Sequence, residues 1–218
     1  MAWPEPRSFP LDPDTGLLDG TGTRYAKRLA DLEGLYADGE AFAVLAAERG
    51  DETVYEVTDH RPSEAPGDLI TGVTRMSPGR VGDEFFMTRG HIHARADRPE
   101  TYFGLAGRGL MVMESPDSES RIVEIAPGTV CYVPPFWIHR SVNVGDADFG
   151  MLFCYPADAG QDYEIIRRAN GLARRVVADG AGGWRDVANP DHVPRGADEV
   201  RAFEAELAAS ARTAPAGA

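Results

Sequence analysis

The sequence predicts an all-β fold, an antiparallel barrel of two packed sheets, and three observations predict it. First, from Thr53 to about Pro156 the chain is a succession of short runs rich in β-branched and aromatic residues. The runs are VYEVTD, LITGVTRM, EFFMT, TYFGLAG, GLMVMES, RIVEI, TVCYVP, HRSVNV and FGMLFCYP. Second, their separators, APGD, SPGRVGD, AGRG, SPDSES, APGT and VGDAD, are turn chemistry that recurs about every ten residues. Third, nothing between two runs is long enough to be a crossover helix, so the strands pair antiparallel and close as a double-sheet jelly roll.

The flanking elements follow in order. Residues 1–22 are rich in Pro, Gly and Asp without periodicity and read as an irregular arm. Thr23 to Leu35 and Glu40 to Arg49 read as two short helices, because Leu29, Leu32 and Leu35 recur at three-residue spacing and AFAVLAAERG ends in a capping Gly50. After the barrel, DYEIIRRANGLA reads as a short helix, and residues 195–218 as an Ala- and Glu-containing helix with a disordered tail, ARTAPAGA. The expected organisation is an arm with short helices packed on the barrel over 1–52, the barrel over 53–178, and a partly disordered C-terminal extension over 179–218.

Composition narrows the function. With 218 residues, 43% of them hydrophobic, the chain can bury one good core. A formal charge of -13 argues against nucleic acid or a membrane surface as partner, since both require clustered Lys and Arg. The expected partner is a small molecule, and an anionic one is compatible, because local amides, hydroxyls and a metal ion decide its binding. No apolar run approaches the roughly 20 residues needed to cross a bilayer, and MAWPEPRSFPLDPDTG has neither a basic start nor a hydrophobic stretch, so the expected location is cytoplasmic. Cys131 and Cys154 each lie in an apolar run and read as buried thiols.

Three of the five histidines fall in two β-like segments. In GHIHARADRPE, side chains that alternate along a strand put His91 and His93 on one face. Glu100 follows the polar loop ARADRP and opens the next strand, which returns its carboxylate toward the two imidazoles. In PGTVCYVPPFWIH, a turn launches an apolar strand, two prolines bend it, and His139 follows. Three imidazoles and a carboxylate suit one divalent ion per subunit, Fe, Mn, Ni, Co or Zn, with positions left open for substrate oxygens. Tyr102 shares a face with Glu100 by period-two counting and is a candidate pocket residue. Phe136 and Trp137 read as residues closing the barrel mouth, and His60 and His192, in polar turn-like surroundings, as surface residues.

These two segments resemble the two cupin motifs. The first fits at His91, His93 and the step from Glu100 to Gly107, with a longer loop before Glu100; the second fits at Gly128, Pro134, His139 and Asn143, with Phe136 in place of its second Gly. With that long loop, VGDEFFMTRGHIHARADRPETYFGLAGRG, EIAPGTVCYVPPFWIHRSVNVGD, YPADAGQDY and the upstream DPDTGLLDG strongly resemble the archaeal-type cupin glucose-6-phosphate isomerases over roughly residues 6–178. The resemblance implies a cytoplasmic homodimer of glycolysis and gluconeogenesis that interconverts glucose 6-phosphate and fructose 6-phosphate. It implies a metal held by His91, His93, Glu100 and His139, with Glu100 as the base and Tyr102 beside it.

By the same resemblance the sugar phosphate is held by hydroxyls and backbone amides, here at Thr74, Thr88, Gly90 and Tyr155, with Tyr102, Gln161 and Tyr163 lining the pocket. Two positions depart from the family pattern: Gln161 stands for the His of YPADAGHDY, and Phe136 for the Tyr of PPYWxH, and the resemblance places both near the sugar phosphate. A cupin isomerase or epimerase for another sugar, and a dioxygenase or sugar-binding protein using the same metal site, remain alternative readings of these residues. A hydride shift likewise remains open beside proton transfer.

Overall fold

The computed structural model describes residues 5–12, 17–19 and 22–213. The turn-bounded apolar runs form strands β1 (Thr23–Arg28), β2 (Thr53–His60), β3 (Leu69–Met76), β4 (Arg80–Val81), β5 (Glu84–Phe85), β6 (Glu100–Ala106), β7 (Gly109–Glu114), β8 (Ser120–Ile125), β9 (Val130–Val133), β10 (Ile138–Asn143), β11 (Phe149–Pro156), β12 (Arg174–Ala178) and β13 (Trp184–Ala188). Helices are α1 (Gly39–Arg49), α2 (Glu164–Arg168) and α3 (Ala197–Thr213). A six-stranded sheet in the order β1-β2-β3-β11-β6-β9 faces a three-stranded sheet β10-β7-β8, and β13-β12-β5-β4 forms a third sheet beside them. Every pairing is antiparallel, the arrangement expected where turns rather than helices connect the strands. This is the cupin barrel.

Register decides which side chains enter the barrel. Met151 pairs with Thr74, which in turn pairs with Val57 and through it with Tyr25. Phe153 pairs with Tyr102, and Tyr102 with Cys131. On the smaller sheet His139 pairs with Met113 and Ser141 with Met111, so these four face the lumen while Arg140, Val112 and Glu114 face outward. One end of the lumen is apolar: Phe149, Met151, Met76 and Ile125 are all fully buried. Polar residues gather at the other end.

Several expectations are corrected. Thr23 to Leu35 is not a helix; Thr23–Arg28 forms edge strand β1 on β2, and Leu29–Leu32 a single 3-10 turn. The physical reason lies in the spacing, since residues exactly three apart stack on a 3-10 turn whereas an α-helix needs three and four in alternation. Leu29 and Leu32 are both fully buried there. Helix α1 stands as expected from its pattern, but Gly50 at its end keeps right-handed φ and ψ of −56° and −29° and forms no left-handed cap. The hairpin of β12 and β13, joined by Asp179–Gly183, was not foreseen. His192 is not a surface residue: its side chain is 7% exposed and lies 3.7 Å from Glu114.

Of the tail expected to be disordered, residues 211–213 continue α3, and 214–218 lie outside the described residues. Among the described residues the arm has one bridge, Leu11 to Leu18, and segments 1–4, 13–16 and 20–21 lie outside them. Cys131 is buried and Cys154 half-buried, and both are free thiols.

Candidate active site

Four residues from three chain segments meet at the polar end of the lumen. His91 is bridged to His139 of β10 through reciprocal backbone hydrogen bonds of 3.0 and 2.9 Å, and Ile92 is bridged to Asp162. This pins the 90–93 segment between the small sheet and the loop before α2, with His91 and His93 on one side. Glu100 is the first residue of β6 on the large sheet. One ligand atom from each of His91, His93, Glu100 and His139 lies within 4.8 Å of every other.

The donor chemistry of this cluster fits a cation. His93 Nδ1 lies 2.7 Å from the Arg98 carbonyl and His139 Nδ1 3.0 Å from the Trp137 carbonyl, so each Nδ1 carries the proton and each Nε2 presents a lone pair to the centre. Those Nε2 atoms lie 3.3 and 3.1 Å from the same carboxylate oxygen, Glu100 Oε2. Lone pairs facing a carboxylate repel unless a proton or metal ion lies among them. His91 Nε2 is buried without a partner, and His93 Nε2 has only the carboxylate oxygen it shares with His139.

Where a proton rather than an ion fills that role, His139 and His93 share it with the Glu100 carboxylate. Burial pushes the Glu100 carboxyl up, but hydrogen bonds and charge from His139 and His93 outweigh it and hold the group below the usual carboxylate range. Burial, then the charge of His139, drives His91 well below the ordinary imidazole value, so it is neutral and ready to donate its lone pair. For His93 burial is outweighed by the hydrogen bond and charge of Glu100, and its value is raised. Burial, then the Glu100 charge, holds the Tyr102 phenol well above its ordinary value, so it stays a neutral O–H.

A narrow cleft with a cavity volume of about 60 Å³ opens over this cluster. Among its lining residues are Thr74, Thr88, Gly90, His91, Glu100, Tyr102, His139, Tyr155, Gln161 and Tyr163. Every site residue expected from the sequence except His93 therefore lines one cavity, and His93 stands behind it in the cluster. Thr88 is fixed by Ser141, whose backbone N–H donates to Thr88 Oγ1 at 3.0 Å. Gly90 has φ of +75°, and a Cβ there would come within 2.9 Å of Arg140 Cβ, so the close approach of the 88–90 segment to β10 requires glycine. The Tyr163 hydroxyl donates to Gln161 Oε1.

Phe136 lies elsewhere. It is 5% exposed, is not among the cleft residues, and packs its ring 6.4 Å from Phe203 of α3. The cleft also contains residues that the sequence reading missed: Tyr25, Tyr55, Asp59, Arg61, Arg89 and Arg140. Tyr25 was hidden by the helical reading of its segment. The arginines carry no ligand-like spacing, and only the fold brings them together.

The glucose-6-phosphate isomerase (GPI) family model matches residues 26–193. This chain belongs to the glucose-6-phosphate isomerase family. Putative glucose-6-phosphate isomerase 1 of Rhizobium meliloti (strain 1021) is 53% identical over 199 residues, 91% of this chain and 93% of that protein. The glucose-6-phosphate isomerase of Sinorhizobium medicae (strain WSM419) is 54% identical over the same shares of the two chains. That of Thermococcus litoralis is 44% identical over 82% of this chain and 93% of its own. The family-model match ends at residue 193, before α3, the helix that touches Phe136.

Proposed function

We propose that this family member interconverts glucose 6-phosphate and fructose 6-phosphate as a metal-dependent aldose–ketose isomerase, by way of a cis-enediolate of the substrate. The observation that carries the reading is the convergence of four metal-ligating side chains, His91 with an orphaned Nε2 atom, beneath a cleft walled by Thr74, Thr88, Gly90 and Tyr155. His91, His93, Glu100 and His139 would hold the ion, which when bound supplies Lewis-acid stabilisation for negative charge developing on the C1 and C2 oxygens. Glu100, ionised, accepts the proton that moves between the two carbons. Tyr102, held neutral beside it, donates a hydrogen bond to a sugar oxygen. The threonine hydroxyls and the Gly90 amide hold the phosphate, and Tyr163, oriented by Gln161, closes the side of the cleft.

The test is conversion of fructose 6-phosphate, coupled to detection of glucose 6-phosphate, after reconstitution with Mn²⁺ and separately with Fe²⁺. No turnover with either ion, alongside turnover of mannose 6-phosphate or an unphosphorylated sugar, would transfer the reading to another isomerase. Run in deuterated solvent, the same reaction should place deuterium at C2 of the product; product free of deuterium would favour a hydride shift. The assignment extends to a cytoplasmic homodimer. In support, Phe103, Val130 and Tyr132 are 38%, 64% and 55% exposed, and Phe103 pairs with Val130 on the outer face of the large sheet. A molecular mass of one chain by light scattering would refute the dimer.

A further inference from the structure

A sugar phosphate arrives at this protein as a dianion, while the chain carries a formal charge of -13. The cleft must therefore reverse the local sign of charge, and three guanidinium groups, those of Arg61, Arg89 and Arg140, contribute to its walls. They are not equivalent. Arg61 is committed to Asp59, 2.7 Å away and itself 1% exposed, and donates to the Tyr155 hydroxyl at 3.2 Å. Arg140 projects from the outward face of β10 and is immobilised there, donating to the Met87 sulfur and, at 2.8 Å, to the Arg89 carbonyl. It backs the 88–90 segment from behind Gly90, where a Cβ would come within 3.1 Å of its Nε.

Arg89 differs from both. Among the described residues no carboxylate lies within ion-pair distance of it. Its guanidinium stands 4.8 Å over the Tyr163 ring, a contact that occupies one face and leaves the N–H edges open. That ring is steadied by the hydrogen bond from the Tyr163 hydroxyl to Gln161, which carries no charge of its own. Arg89 also sits between Thr88 and Gly90, on the wall assigned to the phosphate, and at the junction with a second cleft that opens toward Arg167.

We propose that Arg89 is a substrate-binding residue that engages the phosphate of the sugar through its free N–H edges, so that charge as well as hydroxyls and amides selects a phosphorylated substrate. This rests on the sugar-phosphate reading of the same cleft. Tyr163 and Gln161 act as positioning residues for the Arg89 guanidinium. Arg140 keeps the neighbouring backbone in place and adds fixed positive potential behind it.

The experiment compares the metal-loaded full chain with its Arg89→Met, Arg89→Gln and Arg89→Lys variants. Calorimetric titration with inorganic phosphate reads binding without turnover, and steady-state kinetics with fructose 6-phosphate read KM and kcat separately. Loss of a charge-assisted contact should raise both the phosphate Kd and KM by about 10- to 100-fold in the Met and Gln variants, with a much smaller fall in kcat. Lys should recover most of the affinity, and the salt dependence of kcat/KM should flatten when the charge is removed. Phosphate binding and KM within about twofold of wild type in both uncharged variants would overturn the assignment, as would a wild-type protein that does not bind phosphate. Loss of phosphate affinity in the variants of a protein that does not isomerise hexose phosphates would keep Arg89 and remove the proposed reaction.

Discussion

Replacing Arg195 by Met should destabilise the fold by severing the contact that clamps the C-terminal segment onto the barrel. Glu114 closes β7 with no exposure at all, on the outward face of the sheet that carries His139, and directly opposite Ile138. Its carboxylate accepts from Arg195, whose side chain is 4% exposed, and from the Ala173 N–H at 2.5 Å. Arg195 is further tied to the Ser115 carbonyl at 2.8 Å and the Pro116 carbonyl at 2.7 Å. Removing one member of such a pair leaves a desolvated charge without its partner, a loss of about 3–5 kcal/mol. For a chain of this length each kcal/mol moves Tm by about 2–4 °C, so the expected drop is about 6–20 °C by differential scanning calorimetry. The double variant Glu114→Leu/Arg195→Met removes both charges together and should regain most of that loss. A single variant within about 3 °C of wild type, or a double variant less stable than the single, would refute the reasoning.

Three further outcomes are expected. Stripping metal with a chelator should lower Tm, because an ion present at about 100 times its Kd contributes about 2.7 kcal/mol, or about 5–11 °C here; His93→Ala should abolish the metal-dependent shift, and a shift that survives in that variant would place the ion elsewhere. Gly90→Ala forces an L-residue to φ of +75° against Arg140 and should reduce stability by about 1–3 kcal/mol while reducing kcat/KM more steeply, as read by urea unfolding and kinetics; unchanged values of both would show that the 88–90 segment has room to relax. Burial, aided by the Glu100 charge, pushes the Cys131 thiol up to about 11, so at neutral pH it should resist alkylation in the folded protein and react after unfolding; rapid labelling of Cys131 in the native state, mapped by mass spectrometry, would contradict its placement.

How much of this protein was legible in advance depends on whether a feature is local. Strand β3 spans the very run LITGVTRM, and β11 the run FGMLFCYP, because alternating apolar residues between turn formers leave the backbone one economical choice. The ligand set was legible because His91 and His93 share a face by simple alternation and ARADRP is a loop that must return. The segment Thr23–Arg28 was not, since an edge strand draws its ladder hydrogen bonds from its one neighbour, here β2, about thirty residues away in sequence, and its own residues do not specify which structure wins. The β12–β13 hairpin escaped for a related reason: β12 meets the remaining barrel through Val177 against Glu84, a pairing invisible to any local window.

By itself, the sequence determined the element types of the barrel, the four convergent metal-ligand candidates and the family to which they point, all features encoded in spacing and turn chemistry. Only the tertiary structure decided the charge environment of the cleft. It turned Phe136 away onto Phe203, buried His192 and Arg195 against Glu114, committed Arg61 to Asp59, and left Arg89, beside Thr88 and Gly90, without an ion pair among the described residues. The physical reason is that a charge is governed by whichever groups lie within a few ångströms of it, and in an antiparallel barrel those neighbours come from strands far apart in the chain.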